Sequence, residues 1–221
     1  MIDLLIKYPT RSRPDQFKRI LTDYVNKLTG MYKVKFIISM DLNDESCNND
    51  PMRYFLEQMK TKVNLEYHYG TSKNKIHACN RDIPADGWKV CILVSDDMTP
   101  KQHGYDGVIM NDMNQHFPDL DGALNYNCGG HAYPKVMVLS VIGNPYYKRF
   151  NYIYHPDYTS LFCDEEQTVV ARSMSKIKDI NNKIITHDWH NIKDDLRTHT
   201  EKFYQTDKLV FESRKEKGFP L

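Results

Sequence analysis

Trp88-Lys89-Val90-Cys91-Ile92-Leu93-Val94 runs directly into Ser95-Asp96-Asp97-Met98. A mostly apolar, β-branched run of this length reads as a buried strand. Here it ends in two adjacent carboxylates. Mg²⁺ and Mn²⁺ favour oxygen ligands and are usually held by one or two carboxylates together with substrate phosphates. A cation so placed draws off charge as a diphosphate leaves. The competing reading is a helix N-cap followed by an acid in the first turn. What precedes this strand decides between the two.

Upstream, strand and helix patterns alternate. Ile2–Ile6 is a first apolar strand, and the polar loop Tyr8–Pro14 closes on a proline suited to a first helical turn. Phe17, Ile20, Leu21, Tyr24, Val25 and Leu28 recur at helical spacing up to Gly30. Val34–Ser39 is a second strand, Met52, Phe55, Leu56 and Met59 mark a second helix, Val63–Tyr69 is a third strand, and Lys73–Arg81 is helical. Trp88–Val94 is then the fourth strand. This alternation predicts an α/β fold with a mostly parallel sheet flanked by helices. Ligands of such sheets bind at the carboxyl ends of the strands. The loops Thr10–Arg13, Asp41–Asp44 and Ser95–Asp97 are expected at that edge. Downstream, Gly107–Met110, Met137–Val141 and Ile184-Ile185 read as strands. Asn144–Phe150, Glu165–Met174 and Thr198–Lys217 read as helical. One domain is expected over 1–221, with a donor half (1–100) and an acceptor half with a C-terminal tail (101–221).

Bulk properties narrow the classes. Of 221 residues, 40% are hydrophobic and 27% charged, as in a folded globular chain. A net charge of +1 gives no global attraction to nucleic acid or membrane. The five cysteines form no CxxC pair, which argues against a zinc knuckle or a disulfide framework and fits a reducing cytoplasm. No secretory leader is expected, and no apolar run reaches the roughly 20 residues of a membrane span.

Other stretches offer chemistry. Thr10-Arg11-Ser12-Arg13 could hold an anion at a helix N-terminus, or be a plain capping loop. It lacks the glycine patterns of dinucleotide folds and P-loops. Lys75 sits in Lys73–Arg81, which could flank a diphosphate or be a solvated helix. Asp164-Glu165-Glu166 follows the aromatic stretch Tyr152–Tyr158. A carboxylate there could take a proton from an attacking hydroxyl, although acids are ordinary at helix starts. Tyr154, His155 and Tyr158 could stack on a sugar or fill core. His187-Asp188-Trp189-His190 places two imidazoles three residues apart.

Taken in order, Pro9–Pro14, Met40-Asp41, Lys75-x-x-Ala78-x-Asn80, Ser95–Met98 and Phe162–Glu166 resemble the motifs of GT-A glycosyltransferases related to family two. Phe117–Asn125 and Tyr152–Tyr158 resemble small viral and bacterial members. The resemblance implies a Rossmann-like GT-A domain that uses Mn²⁺ or Mg²⁺ and a nucleotide-sugar donor, a UDP-sugar foremost. It implies Thr10, Arg11, Arg13 and Lys75 beside the donor, Asp41 near the base, and Asp96 facing ribose or sugar. Asp97 would bind the metal, with His187 or His190 as a late metal contact. Asp164 or Glu166 would be the base of an inverting transfer, and Asp121, Tyr154 and His155 would meet the acceptor. That acceptor would be a hydroxyl on a glycan, a protein, a lipid-linked saccharide or a modified base in phage DNA. The cytoplasm, the host's for a viral chain, is the expected location. Ser-Asp-Asp replaces the spaced Asp-x-Asp of many relatives, so either aspartate could meet the metal. The Gln-x-x-Arg-Trp motif of processive synthases is absent, which favours single transfer. The alternatives are a sugar-phosphate nucleotidyltransferase and an inactive nucleotide-sugar binding module.

Overall fold

A computed structural model describes residues 1–129, 133–188 and 194–220. In chain order the elements are β1 (Ile2–Thr10), α1 (Pro14–Asn26), β2 (Val34–Asp41), α2 (Asp50–Lys60), β3 (Asn64–Gly70), α3 (Lys75–Asn80), β4 (Trp88–Leu93) and β5 (Met98–Pro100). They continue as α4 (Tyr105–His116), β6 (Ala123–Tyr126), β7 (Val141–Gly143), α5 (Asn144–Tyr147), α6 (Cys163–Ser173), β8 (Ile177–Ile180), β9 (Ile185–His187), α7 (Asp195–Glu201) and α8 (Tyr204–Glu216).

Among the described residues the main sheet has seven strands in the order β3-β2-β1-β4-β7-β6-β8. Strands β1 to β4 are mutually parallel, with Leu4 opposite both Val34 and Val90. Strand β7 runs antiparallel to β4 and β6, while β6 and β8 are parallel. Alternation along β1 feeds two cores. Leu4, Ile6 and Tyr8 pack with Phe17, Ile20 and Tyr24 of α1, Leu56 of α2 and Ile109 of α4. On the other face Leu5 packs with Ile37, Ile76 of α3, Tyr146 of α5 and Cys163 of α6. A separate two-stranded sheet pairs β5 with β9 antiparallel, Met98 opposite His187.

The first half matches the sequence reading closely, and β1 and β2 run on to Thr10 and Asp41. The second half differs. Gly107–Met110 lies inside α4, because Tyr105, Ile109 and Met113 fall on one buried helical face. A short apolar run cannot by itself distinguish strand from helix. Of Met137–Val141 only Val141 is in a strand. Strands β5, β6 and β8 are too short to show periodicity, and the C-terminal tail is two helices.

Gly143 ends β7 where a Cβ would lie 1.8 Å from the Leu120 carbonyl oxygen. Backbone cannot yield as a side chain can. Gly143→Ala is therefore expected to lower the unfolding free energy by about 3 kcal/mol, read as a fall in the urea midpoint at unchanged m-value.

Candidate active site

Parallel pairing brings the ends of β1, β2 and β4 to one edge, and the predicted loops meet there. Thr10 Oγ1 donates to Asp96 Oδ2 at 3.1 Å. Arg11 Nη1 donates to Asp41 Oδ2 at 2.6 Å and to Asn43 Oδ1 at 2.9 Å. The Ser12 amide donates to Asp44 Oδ2 at 2.7 Å, and Gln16 Nε2 to the Asp96 carbonyl at 2.8 Å. Arg13 forms a two-point pair with Asp194, at 2.6 and 3.0 Å. Asp96 and Asp97 add further charges near Arg13.

The two adjacent aspartates differ. Asp96 is buried, and burial pushes its carboxyl up to about 7, against the pull of the Tyr8 and Thr10 hydroxyls and the Arg13 charge. Its Oδ1 and the nearby Tyr8 hydroxyl are both closed to solvent and have no partner other than each other among the described residues. For Asp97, burial is outweighed by the His187 imidazole and the Ser95 hydroxyl, which hold the carboxyl well below the usual carboxylate range. His187 Nε2 lies 3.3 Å from Asp97 Oδ2. The β5–β9 pairing places it there, reinforced by the Asp188 amide donating to the Asp97 carbonyl at 2.7 Å.

The contact is an ion pair, and the same two atoms could share a small divalent cation only once the imidazole gives up the proton it directs at the carboxylate. Two cis ligands at about 2.1 Å from an octahedral ion lie roughly 3 Å apart, close to the observed N···O separation. Among the described residues no group of three His, Cys, Asp or Glu side chains converges on a metal-sized site. The chain would thus supply Asp97 and His187, leaving the other positions to substrate oxygens or water. His190 lies outside the described residues.

Lys75, exposed at the start of α3, carries its charge near both Asp97 and Asp164. Asp164 stands in the first turn of α6, within electrostatic reach of Lys75 and His187, and burial raises its carboxyl pKa. Tyr154 is buried beside Asp164, its backbone bound at both polar groups by the Asn80 side chain.

Three predicted residues stand elsewhere. Glu166 is buried, with both carboxylate oxygens engaged. Arg214 donates to it at 2.9–3.1 Å and the Tyr158 hydroxyl at 2.6 Å. That pair ties α8 to α6. His155 belongs to the same group, its ring edge-on to Tyr152 and Tyr158 near the Arg214 charge. Asp121 lies away from the other predicted residues. Strand β6 runs in the same direction as β4, so a residue just before it lies at the opposite edge of the sheet. There Asp121 pairs with Arg149 and, at 2.8 Å, with Lys176. Asp194 went unnoticed in the sequence, and Ser95 and Asp188 stood in quoted motifs without a role of their own; only the pairing of distant three-residue strands shows what Asp188 contacts.

No family model matches the chain, and no curated protein matches it. Solved structures do. S. aureus TarS superposes with TM-score 0.66 at 12% identity, over 83% of this chain and 36% of that one. A 1–349 form of TarS in complex with UDP-GlcNAc gives TM-score 0.65 at 13% identity, over 83% and 57%. The mannosyltransferase PcManGT from Pyrobaculum calidifontis, in complex with GDP-Man and Mn²⁺, gives 0.62 at 12%, over 85% and 59%. A nucleotide-diphospho-sugar transferase described as putative, from Desulfovibrio desulfuricans, gives 0.51 at 12%, over 82% and 80%. The chain spans about a third to three fifths of TarS and PcManGT. The chain therefore has the GT-A-type α/β fold, a mostly parallel seven-stranded sheet flanked by helices, with its acidic pair at the carboxyl edge.

Proposed function

We propose that the chain is a metal-dependent glycosyltransferase, one domain that moves a sugar from a nucleotide-sugar donor to a hydroxyl acceptor in a single inverting transfer. The observation that carries this reading is the meeting of Asp97 and His187 at the sheet edge, with Arg13 and Lys75 nearby. A carboxylate oxygen suited to Mn²⁺ or Mg²⁺, with an imidazole that Mn²⁺ accepts more readily than Mg²⁺, stands beside cations suited to a diphosphate.

In this reading Asp97 and His187 would hold a divalent cation, which when bound would supply stabilisation of negative charge on a departing nucleoside diphosphate. Arg13 and Lys75 add positive charge beside it. Thr10 and Arg11 line the nucleotide, and Asp41 meets the base. Asp96 faces the ribose or sugar side of the pocket through Thr10, which it holds by its Oδ2. Asp164 takes the proton of the attacking hydroxyl as general base, with Tyr154 behind it on the acceptor side. A UDP-sugar is the favoured donor; the acceptor is a hydroxylated glycan, protein or modified base. No helix among the described residues is long and apolar enough to cross a membrane. The five buried, unpaired cysteines suit the reducing cytoplasm.

Incubation with a panel of UDP- and GDP-sugars is expected to release free nucleoside diphosphate. Release should stop with EDTA and return with Mn²⁺ or Mg²⁺. Chelator-insensitive release would contradict the metal assignment. Pyrophosphate formed from a sugar phosphate and a nucleoside triphosphate would assign a nucleotidyltransferase instead. Donor binding without turnover would leave a binding module.

A further inference from the structure

Lys7 sits in the middle of β1 with no exposed surface, at a position where the alternation calls for an apolar residue. Its neighbours on that face, Leu5 and Ile37, are core. A buried ammonium costs stability unless something requires it. Lys7 Nζ donates to Ser39 Oγ, which donates to Asp82 Oδ2 at 2.5 Å. Asp82 also pairs with Arg81 Nη1 at 3.0 Å. Arg81 in turn donates from Nη2 to the Met40 carbonyl at 2.7 Å and from Nε to Ser72 Oγ at 3.1 Å. It stands 4.0 Å from Asp41, whose other oxygen holds Arg11.

Charges thus alternate from the core to the sheet edge: Lys7, Asp82, Arg81, Asp41, Arg11. The seat of Arg81 depends on a missing side chain, since a Cβ on Gly70 would lie 2.4 Å from Arg81 Nη1. Asp82 closes the turn after α3 with φ +67°. None of this is needed to fold β1, where leucine or isoleucine would pack without desolvating a charge.

We infer that Lys7 is a positioning residue for the donor pocket: by holding Asp82 through Ser39, it keeps Arg81 from being drawn wholly to Asp82, and so fixes Asp41 and Arg11 for the nucleotide. This rests on the donor-binding reading above. Loss of the Lys7 charge leaves Asp82 with Arg81 as its remaining cation. Arg81 then shifts towards Asp82, and Asp41 turns to Arg11 alone.

The groups facing Lys7 are Ser39 of β2, Cys79 of α3, Cys91 of β4, and Asp82 and Arg81 of the turn. Burial lowers the Lys7 pKa to about 8, against the pull of Asp82. The signs of two pH effects therefore oppose. The folded pKa lies below the unfolded value near 10.4. The ammonium thus costs stability in full below pH 8, and the cost is relieved as pH rises from 8 towards 10.4. Nucleotide binding, which uses the ammonium, weakens over the same rise.

The test is calorimetric titration of UDP and GDP with Mn²⁺, alongside melting, for the unmodified chain, Lys7→Met and Ser39→Ala, at pH 7 and pH 9. At pH 7 both variants are expected to bind the preferred nucleotide about tenfold more weakly, and Lys7→Met to melt no lower than the unmodified chain. From pH 7 to 9 the unmodified chain should lose more affinity than Lys7→Met, in which only the shared Asp96 titration remains. Affinity within twofold of the unmodified chain in a folded variant overturns the inference and leaves the donor reading intact. Failure of the unmodified chain to bind either nucleotide overturns both. Should Lys7→Met not fold, the inferred dispensability for folding is wrong, and Ser39→Ala still reads the link to the pocket.

Discussion

Asp97→Asn is expected to reduce diphosphate release by about three orders of magnitude while the protein stays folded. A neutral amide is a poor ligand for a hard cation. Losing metal stabilisation of the leaving group is worth several kcal/mol, and about 4 kcal/mol corresponds to that factor. The amide keeps the shape of the carboxylate but has one acceptor oxygen where Ser95 and His187 use two, so it keeps one of these bonds and the Ser95 hydroxyl must turn to accept from the amide NH2 if the oxygen faces His187. The cost to folding should therefore stay near 1–3 kcal/mol, the value of charged hydrogen bonds made neutral. Its sign follows from the depressed carboxyl: the ionised form stabilises the fold above the unfolded pKa and ceases to do so as pH falls through the folded one. The variant should lose that acid-side dependence. Steady-state assays with saturating Mn²⁺, paired with circular dichroism, check both parts. A folded Asp97→Asn enzyme within tenfold of normal turnover would remove the metal assignment.

The second large effect separates two acids two residues apart. Asp164→Asn is expected to lower kcat by about 10²–10⁴-fold, the range for a lost general base, with donor KM little changed. Glu166→Gln is expected to keep kcat within a few-fold. Its carboxylate is saturated by Arg214 and Tyr158 and has no free lone pair aimed at a substrate. Its loss should appear in stability instead, by about 1–3 kcal/mol, because Arg214 loses a buried anionic partner and α8 its tie to α6. Thermal melts and kcat for the two variants would show opposite patterns. If Glu166→Gln were the inactive one and Asp164→Asn the unstable one, the assignment of the base would be reversed.

Both acids lie in one helical turn, and the sequence could not distinguish them. What does so is Arg214, 48 residues away in a helix that packs across α6. Non-local partners account for most of what stayed hidden. The first four strands were legible because β1, β2 and β4 are mostly apolar runs, β3 alternates apolar and polar residues, and each ends at a polar loop or glycine. Their parallel pairing then set Thr10, Asp41 and Asp96 on one edge without further information. His187 reaches Asp97 only through the pairing of two three-residue strands, β5 and β9, too short to carry a period. The place of Asp121 could not be read because the direction of β6 depends on the reversed strand β7, of which only Val141 had been legible. Lys7 fell just past the strand read as Ile2–Ile6, and its burial inside β1 against Ser39 and Asp82, neither adjacent in sequence, appears only in the structure.

The central claim is that Asp97 and His187 hold a divalent cation against a donor diphosphate. A crystal structure grown with UDP and Mn²⁺, with data collected at the manganese absorption edge, tests it most directly. The account predicts one anomalous peak within about 2.3 Å of both an Asp97 carboxylate oxygen and His187 Nε2, bridged to the diphosphate. A nucleotide bound at this edge with no metal between it and Asp97, or a manganese peak on other residues, would contradict it.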